Sequence, residues 1–348
     1  MSIILNTGGL GFIGSHTCIS LINKGFDVLV IDSLINSSLD NLEKINKIVS
    51  SINSKNKGAV NFIKGDLRDK EWLCGIFENQ IKEKNPISSV IHFAGLKSVQ
   101  DSLNDPLLYW DVNINSTLSL LSTMKKFNCN NLVFSSSASI YKPVLEKKLF
   151  EDSFKEPINP YGKTKFTIES ILQDLYLSDK EKWKIINLRY FNPAGTHCSG
   201  LIGENPKNIP TNLFPCLEKV IVGSLNQLSI YGNDWPTNDG TCIRDFIHVM
   251  DLAEAHFAAL KFLHEKEPQF ISLNIGTGKG SSVLEIVETY SKSNKISLPY
   301  KFVGRRPGDS CYVVADNSLA LDLLDWKPLK TLEDICIDSY RYLEKNIL

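Results

Sequence analysis

The sequence is short of net charge: 38 Lys and Arg face 39 Asp and Glu, leaving −1 at pH 7. No basic run stands out either, which argues against nucleic acid or an anionic membrane as a main partner. No apolar stretch reaches the roughly 18 residues that a bilayer-spanning helix needs. The opening MSIILNTGG lacks a basic lead, and glycines break its short apolar run, so no signal peptide is expected there. Eight cysteines are scattered from Cys18 to Cys336 without a C-x-x-C pair. In a chain long enough to bury a large core without staples, that pattern predicts reduced thiols and a cytoplasmic protein. The histidines, at 16, 92, 197, 248, 256 and 264, show no H-E-x-x-H and no clustered ligand spacing, so no metal is expected.

What is present is ordinary in composition and regular in pattern. The chain is 43% hydrophobic and 22% charged, and its 348 residues suit two domains, or one domain with a lobe. An Asn-, Lys- and Ser-rich stretch, INKIVSSINSKNKG, reads as a surface segment. Short runs rich in Val, Ile and Phe recur through the first 190 residues: SIIL, FDVLVID, VNFIKGD, SSVIHFAG, NLVFSSS and KIINLRYF. They are apolar on both faces, as buried parallel strands are. Helix-length segments at 12–24, 107–127 and 160–178 separate them. Repeated βα units predict an α/β fold with a doubly wound, parallel Rossmann-type sheet, whose strand C-termini and ligand crevice lie along one edge. After about residue 192 the texture loosens. IPTNLFPCLEKVIVGS and SVLEIVETYSK read as helices and FISLNIG as another strand. The expected division is 1–190 as the nucleotide-binding domain and 191–348 as a smaller substrate lobe over the strand edge, with some segments returning to the first domain.

Chemistry gathers at the predicted strand ends. Gly8, Gly11 and Gly14 lie between the first strand and the first helix, where glycine permits a tight turn and close approach of a pyrophosphate to the helix N-terminus. No Gly-Lys-Ser/Thr follows, which disfavours a triphosphate-binding loop. Asp32 ends the second strand, placed to accept both ribose hydroxyls of an adenosine. A carboxylate there repels a 2′-phosphate, and SLIN offers no compensating cation, so NAD is favoured over NADP. Asp66 ends the third strand, and Lys97 leaves the fourth. NLVFSSS ends on Ser137. Tyr161 and Lys165 stand four apart in NPYGKTK, where Asn159 can cap a helix and Pro160 suits its first position. The same spacing recurs at Tyr176 and Lys180, at the far end of that helix. Only the first copy shares the sheet edge with Ser137 and the glycine turn. A phenol beside an ammonium, a helix N-terminus and a cationic nicotinamide is expected to favour phenolate and act as a base near neutral pH. Lys165 is expected to hold the nicotinamide ribose and Ser137 to orient a substrate hydroxyl. Alcohol–ketone interconversion is the reaction this set implies.

With the glycine turn, Ser137 and YGKTK in hand, the chain resembles the extended short-chain dehydrogenase/reductases, and among them the UDP-glucose 4-epimerase family. GGLGFIGSHT, HFAGLKSVQDSL, FSSSASIY, NPYGKTK, LRYFNPAG, GNDWPTNDGTCIRDFIHVMDLAEAH, LNIGTGKGSSVLEIV and RRPGD carry the resemblance nearly end to end. It implies that NAD meets Gly8, Gly11, Phe12, Ile13, Gly14, Asp32, Asn36, Asp66, Leu67, Lys97, Tyr161, Lys165 and Phe191. A UDP-sugar would meet Ser137, Asn192, Asn212, Leu213, Tyr231, Arg244, Arg306, Asp309 and Val313. Paired arginines suit a diphosphate, and a tyrosine face suits uracil. The implied reaction has Tyr161 take the sugar 4-OH proton while C4 hydride passes to NAD⁺, after which the keto sugar turns over and both return on its other face. A homodimer is implied as well. Three positions depart from the family pattern: Asn6 for Val, Lys142 for Gly after Tyr141, and Val112 for an Asn, the last expected to weaken cofactor retention. Val313 stands where a bulky Tyr excludes N-acetylated sugars, which implies room for UDP-GlcNAc. The rivals on this fold are another nucleotide-sugar epimerase or a 4,6-dehydratase. Ala138 and Ser139 fill the place of the acidic pair that a dehydratase needs. An idle NAD-sensing module would have no use for the Ser–Tyr–Lys set.

Overall fold

A computed structural model describes residues 3–52, 57–143, 148–206, 210–306 and 308–346. Ser2 of SIIL, residues 53–56 of the Asn-rich stretch, Ile209 and Pro307 lie outside the described residues. In chain order the first elements are β1 (Ile3–Thr7), α1 (Phe12–Asn23), β2 (Asp27–Asp32), α2 (Asp40–Ser51), β3 (Val60–Lys64), α3 (Lys70–Lys82), β4 (Ile87–His92), α4 (Val99–Asn104), α5 (Pro106–Trp110), α6 (Ser116–Lys126), β5 (Asn131–Ser137), α7 (Pro160–Ser178) and β6 (Lys184–Tyr190). There follow β7 (Asn192–Ala194), α8 (Leu213–Ile221), β8 (Leu228–Tyr231), β9 (Ile243–Arg244), β10 (Phe246–His248), α9 (Val249–Glu265), β11 (Gln269–Ile275), β12 (Ser281–Ser282), α10 (Val283–Asn294), β13 (Tyr300–Val303), β14 (Tyr312–Val313), α11 (Ser318–Leu324) and α12 (Leu332–Asn346).

The chain forms two compact units. One comprises residues 1–140, 155–189 and 253–273; the other comprises 141–154, 190–252 and 274–348. In the first, a seven-stranded sheet runs in the order β11-β6-β5-β4-β1-β2-β3. The pairings of β1 with β2 and β4, β2 with β3, and β4 with β5 are all parallel. This is the doubly wound α/β sheet expected from the alternating apolar runs. Its strands read as unbroken apolar stretches because helices cover both faces. β1 is buried at every position, whereas the edge strand β3 is not. Leu5, Leu29, Ile31, Phe77, Leu120, Phe134, Leu172 and Trp183 belong to its core, each worth about 1.5–3 kcal/mol on burial.

The helix expected over 107–127 forms with one interruption. A π-helical turn at Asp111–Asn115 separates α5 from α6 and turns Asn113 inward. Such single π turns often mark functional positions. The surface stretch around residue 45 is itself helical. In α2, Ile45, Ile48 and Val49 recur at helical spacing and are buried, a stripe the polar composition concealed.

The second unit carries shorter pieces: β10 with β7, β12-β9-β14, and β13 with β8. Phe214, Leu217, Ile286, Tyr290 and Ile335 pack into its core, with the Phe214 and Tyr290 rings 6.0 Å apart. FISLNIG, read as a strand, becomes β11 of the seven-stranded sheet.

Candidate active site

The first unit brings together the side chains singled out at the strand ends. The Asn159 side chain caps α7 by accepting from the Gly162 backbone N–H at 2.8 Å, with Pro160 in the first turn. That first turn lies hard against the chain leaving β5, since a Cβ at Gly162 would sit 2.5 Å from the Ser139 carbonyl oxygen. Glycine at 162 therefore lets Tyr161 reach Ser137, a role that spacing alone does not disclose. The Ser137 hydroxyl is further fixed by the Ser139 N–H, which donates to it at 3.1 Å.

Lys165 is buried on the next turn. Its Nζ donates to the Ser135 carbonyl at 2.7 Å, lies 4.8 Å from the Phe134 ring centroid and stands 6.0 Å from that of Tyr161. Burial pulls this ammonium down to about 7, opposed by the Glu169 carboxylate. The expectation of a lowered phenol is corrected here. Burial pushes Tyr161 above its ordinary range, and only the Ser137 hydrogen bond works against that. Desolvation disfavours the charged phenolate more than this hydrogen bond favours it. In contrast, Tyr176 packs against Phe270 at 6.1 Å, and Lys180 lies exposed beyond the end of α7.

The residues expected to hold NAD fit a dinucleotide. Gly8 takes φ +68°, and a Cβ on it would meet the Ala94 backbone nitrogen at 2.7 Å. The turn runs into α1, whose N-terminus has no side-chain cap and no acidic residue in its first turn, the arrangement that receives a phosphate. Asp32 is buried and accepts from Leu10 N at 3.1 Å, Leu34 N at 2.9 Å and Ser37 Oγ at 2.7 Å. A carboxylate has about four acceptor positions, so capacity remains for a ribose hydroxyl. Lys97 reaches back over the Phe12 ring at 5.7 Å, joining the loop after β4 to the glycine turn. Ile13 is half-buried, Asn36 is exposed and Leu67 belongs to the core. Asp66 is held by Arg68, whose Nη2 lies 2.6 Å away and whose Nη1 donates to Asp111 at 2.5 Å; the Arg68 hydrogen bonds keep Asp66 below the usual carboxylate range.

Of the departures from the family pattern, Asn6 finds partners. The Asn6 Nδ2, fully buried, donates to the Gly14 carbonyl at 3.1 Å and to Cys18 Sγ at 2.9 Å, tying β1 to the glycine turn. Val112 is half-buried in the π turn. The neighbouring Asn113 carries the amide contacts: Oδ1 accepts from Leu96 N at 2.7 Å, and Nδ2 donates to Leu96 O at 3.1 Å and Thr164 Oγ1 at 3.0 Å. An amide missing at 112 leaves the loop after β4 pinned to α7.

In the second unit, Arg244 of β9 donates from Nη2 to Asp309 at 3.2 Å, and Val313 of β14 is its parallel-strand neighbour. Arg306 lies over the Tyr231 ring at 4.2 Å. Asn212 begins α8, with Nδ2 donating to Glu204 at 3.3 Å, and Leu213 is the first helical residue. Phe191 is buried and Asn192 starts β7, its N–H donating to the Asp245 carbonyl at 3.0 Å. Asp245 itself escaped notice in the sequence. Its buried carboxylate accepts from Thr277 N at 2.8 Å, Thr277 Oγ1 at 2.6 Å, Gly278 N at 3.0 Å and Ala315 N at 3.2 Å. That set ties the residue after Arg244 to residues 277 and 278 and to the chain two residues past Val313.

The sheet, the glycine turn and the Ser137–Tyr161–Lys165 cluster define a class, the extended short-chain dehydrogenase/reductases. Residues 5–339 match the family model described as GDP-mannose 4,6 dehydratase. The chain is 44% identical over 345 residues to the UDP-glucose 4-epimerase of Bacillus subtilis (strain 168), covering 99% of this chain and 97% of that one. It belongs to the UDP-glucose 4-epimerase family. Two solved relatives superpose closely. The UDP-glucose-4-epimerase of Stenotrophomonas maltophila, crystallised with NAD and formylated UDP-arabinopyranose, gives a TM-score of 0.92 at 39% identity, over 99% of this chain and 98% of that one. That of Bifidobacterium longum, in complex with NAD⁺ and UDP, gives 0.90 at 42% identity over 99% of both. Among the described residues no group of His, Cys, Asp or Glu is arranged to hold a metal ion, and no helix is long and apolar enough to cross a membrane.

Proposed function

We propose that this chain interconverts UDP-glucose and UDP-galactose through transient oxidation at sugar C4. The observation that carries the reading is Tyr161 and Ser137 joined at the end of β5, with Lys165 buried one turn behind. NAD, when bound, would supply the hydride acceptor and donor that C4 needs. Tyr161 removes the 4-OH proton and, once the keto sugar has turned its other face to the hydride donor, returns the proton to the 4-oxygen. Ser137 holds that hydroxyl in line. Lys165, when protonated, lowers the energy of the phenolate that burial alone disfavours, and reaches the nicotinamide ribose. Gly8, Gly11, Phe12, Ile13 and Gly14 receive the pyrophosphate; Asp32 and Asn36 receive the adenosine ribose. Asp66, Leu67, Lys97 and Phe191 complete the cofactor contacts. Arg244 and Arg306 neutralise the substrate diphosphate, with Asp309 orienting Arg244. Tyr231 serves the uracil, and Asn192, Asn212 and Leu213 the remaining polar contacts.

The matched model's description raises a 4,6-dehydratase. Elimination of water needs an acid and a base after Ser137, and Ala138 and Ser139 carry neither. Incubating the purified protein with UDP-galactose, identifying the product and assaying NAD released on denaturation tests the reading. UDP-glucose is expected; a dehydrated 4-keto-6-deoxy product would replace it with the dehydratase.

Val313, the strand neighbour of Arg244, is much smaller than a tyrosine, so UDP-GlcNAc is expected to be epimerised too, and Val313→Tyr to abolish that activity alone. The chain is expected to act as a homodimer through α4–α6, where Leu103, Leu107, Leu108 and Leu118 are exposed, Leu107 to 78%. Sedimentation of wild type against Leu107→Glu reads this directly. All eight cysteines are free, in keeping with a reducing cytoplasm.

A further inference from the structure

The buried pair of Glu169 and Arg189 has no part in the chemistry derived so far. Glu169 lies one helical turn beyond Lys165 on α7, and both are buried. Arg189, from β6, grips its carboxylate with Nε at 2.9 Å and Nη2 at 2.7 Å. The Ser136 hydroxyl donates to the same carboxylate at 2.5 Å. Ser136 sits between Ser135, whose carbonyl receives Lys165, and Ser137. One carboxylate therefore touches the strand end that carries two of the three site contacts. A buried ion pair is a poor source of stability, since an apolar pair of equal volume commonly serves as well.

We propose that Glu169 is a positioning residue for C4 epimerisation: its carboxylate, aimed by Arg189, favours the ammonium form of Lys165 and fixes the Ser135–Ser137 strand end against α7. This rests on the function proposed above. The groups facing Lys165 are Glu169 and Tyr161 from α7, the Ser135 carbonyl and Phe134 ring from β5, and His92 from β4. Arg189 stands on the carboxylate of Glu169. His92 is held neutral, burial and the nearby Lys165 driving it down to about 3. Among these groups Glu169 alone is anionic, and it is what opposes the burial that drives Lys165 down to about 7. Without the carboxylate, Lys165 loses its proton at lower pH, and turnover that needs the ammonium falls first on the alkaline side.

The test compares wild type, Glu169→Gln, and the double variant Glu169→Gln/Arg189→Met, which removes both charges and leaves no unpaired guanidinium. The first readout is NMR titration of ¹³C-lysine protein, with the Lys165 signal assigned by its loss in Lys165→Met. The second is kcat and KM for UDP-galactose across pH. Both variants are expected to move the Lys165 midpoint down by about one pH unit and to cut kcat about tenfold on the alkaline side, with KM within about twofold. A Lys165 midpoint that stays put in both variants overturns the proposal. So does a kcat loss that is uniform across pH and follows thermal stability. If wild type leaves UDP-galactose unchanged, the function proposed above fails, and the titration still decides whether Glu169 sets the charge of Lys165.

Discussion

The two ends of α7 present the same four-residue spacing of tyrosine and lysine in different surroundings. At the N-terminal end, Tyr161 meets Ser137, and Lys165 is sealed against Phe134 and the Ser135 carbonyl. At the C-terminal end, Tyr176 stacks on Phe270, while Lys180 falls past Ser178, where the helix stops. Side chains four apart are close only on a continuous helix, and a phenol needs a neighbouring charge and hydroxyl to serve as a base. Location at the strand ends, not spacing, separates the two copies.

The largest expected effect breaks that comparison most openly. Tyr161→Phe should lower kcat by about 10²–10⁴-fold, the usual worth of a positioned acid–base group, while thermal stability holds. Tyr176→Phe should retain turnover; equal losses in steady-state assays of the two variants would refute the assignment. Gly162→Ala tests how the good copy is delivered. A Cβ there would press 2.5 Å from the Ser139 oxygen, so α7 must shift. A loss of about 1–3 kcal/mol in denaturant unfolding is expected. Displacement of the phenol by about 1 Å would reduce kcat by about 10²-fold. Wild-type kcat in a folded Gly162→Ala protein would show that the close approach is unnecessary.

A smaller effect follows from titration. The folded cofactor-free chain holds Lys165 near 7, below the 10.5 of the free side chain. Between those values the unfolded chain binds the extra proton, so stability contributed at this site rises with pH across the window. Thermal melts of Lys165→Met should lack that rise; an identical pH slope would remove the buried-lysine account. The smallest effects concern the π turn. Val112→Asn should leave NAD retention unchanged through gel filtration, whereas Asn113→Ala should release cofactor more readily. The reverse ranking would restore the weight first given to Val112.

Much of this arrangement was legible because it depends on local chemistry. Asn159 and Pro160 announce the start of α7, the apolar runs announce buried strands, and Asp32 ends a strand as the pattern requires. What stayed hidden depends on depth and long-range contact. The high phenol pKa of Tyr161 comes from burial, which no spacing reports. The Glu169–Arg189 pair joins α7 to β6, and Asp245 gathers residues 277, 278 and 315, so neither has a sequence signature. The inward placement of Asn113 has no sequence signature either, because a π turn changes which residue of a helical run faces inward.

The central claim is a proton moved by Tyr161 while the C4 hydrogen leaves and returns within one enzyme-bound cycle. Its most direct test follows UDP-galactose deuterated at C4, incubated with purified protein in ordinary water and without added cofactor. The account predicts UDP-glucose that keeps the deuterium at C4, with Tyr161→Phe giving almost none of this product. Product formed with the deuterium washed out, or formed equally well by Tyr161→Phe, would contradict it.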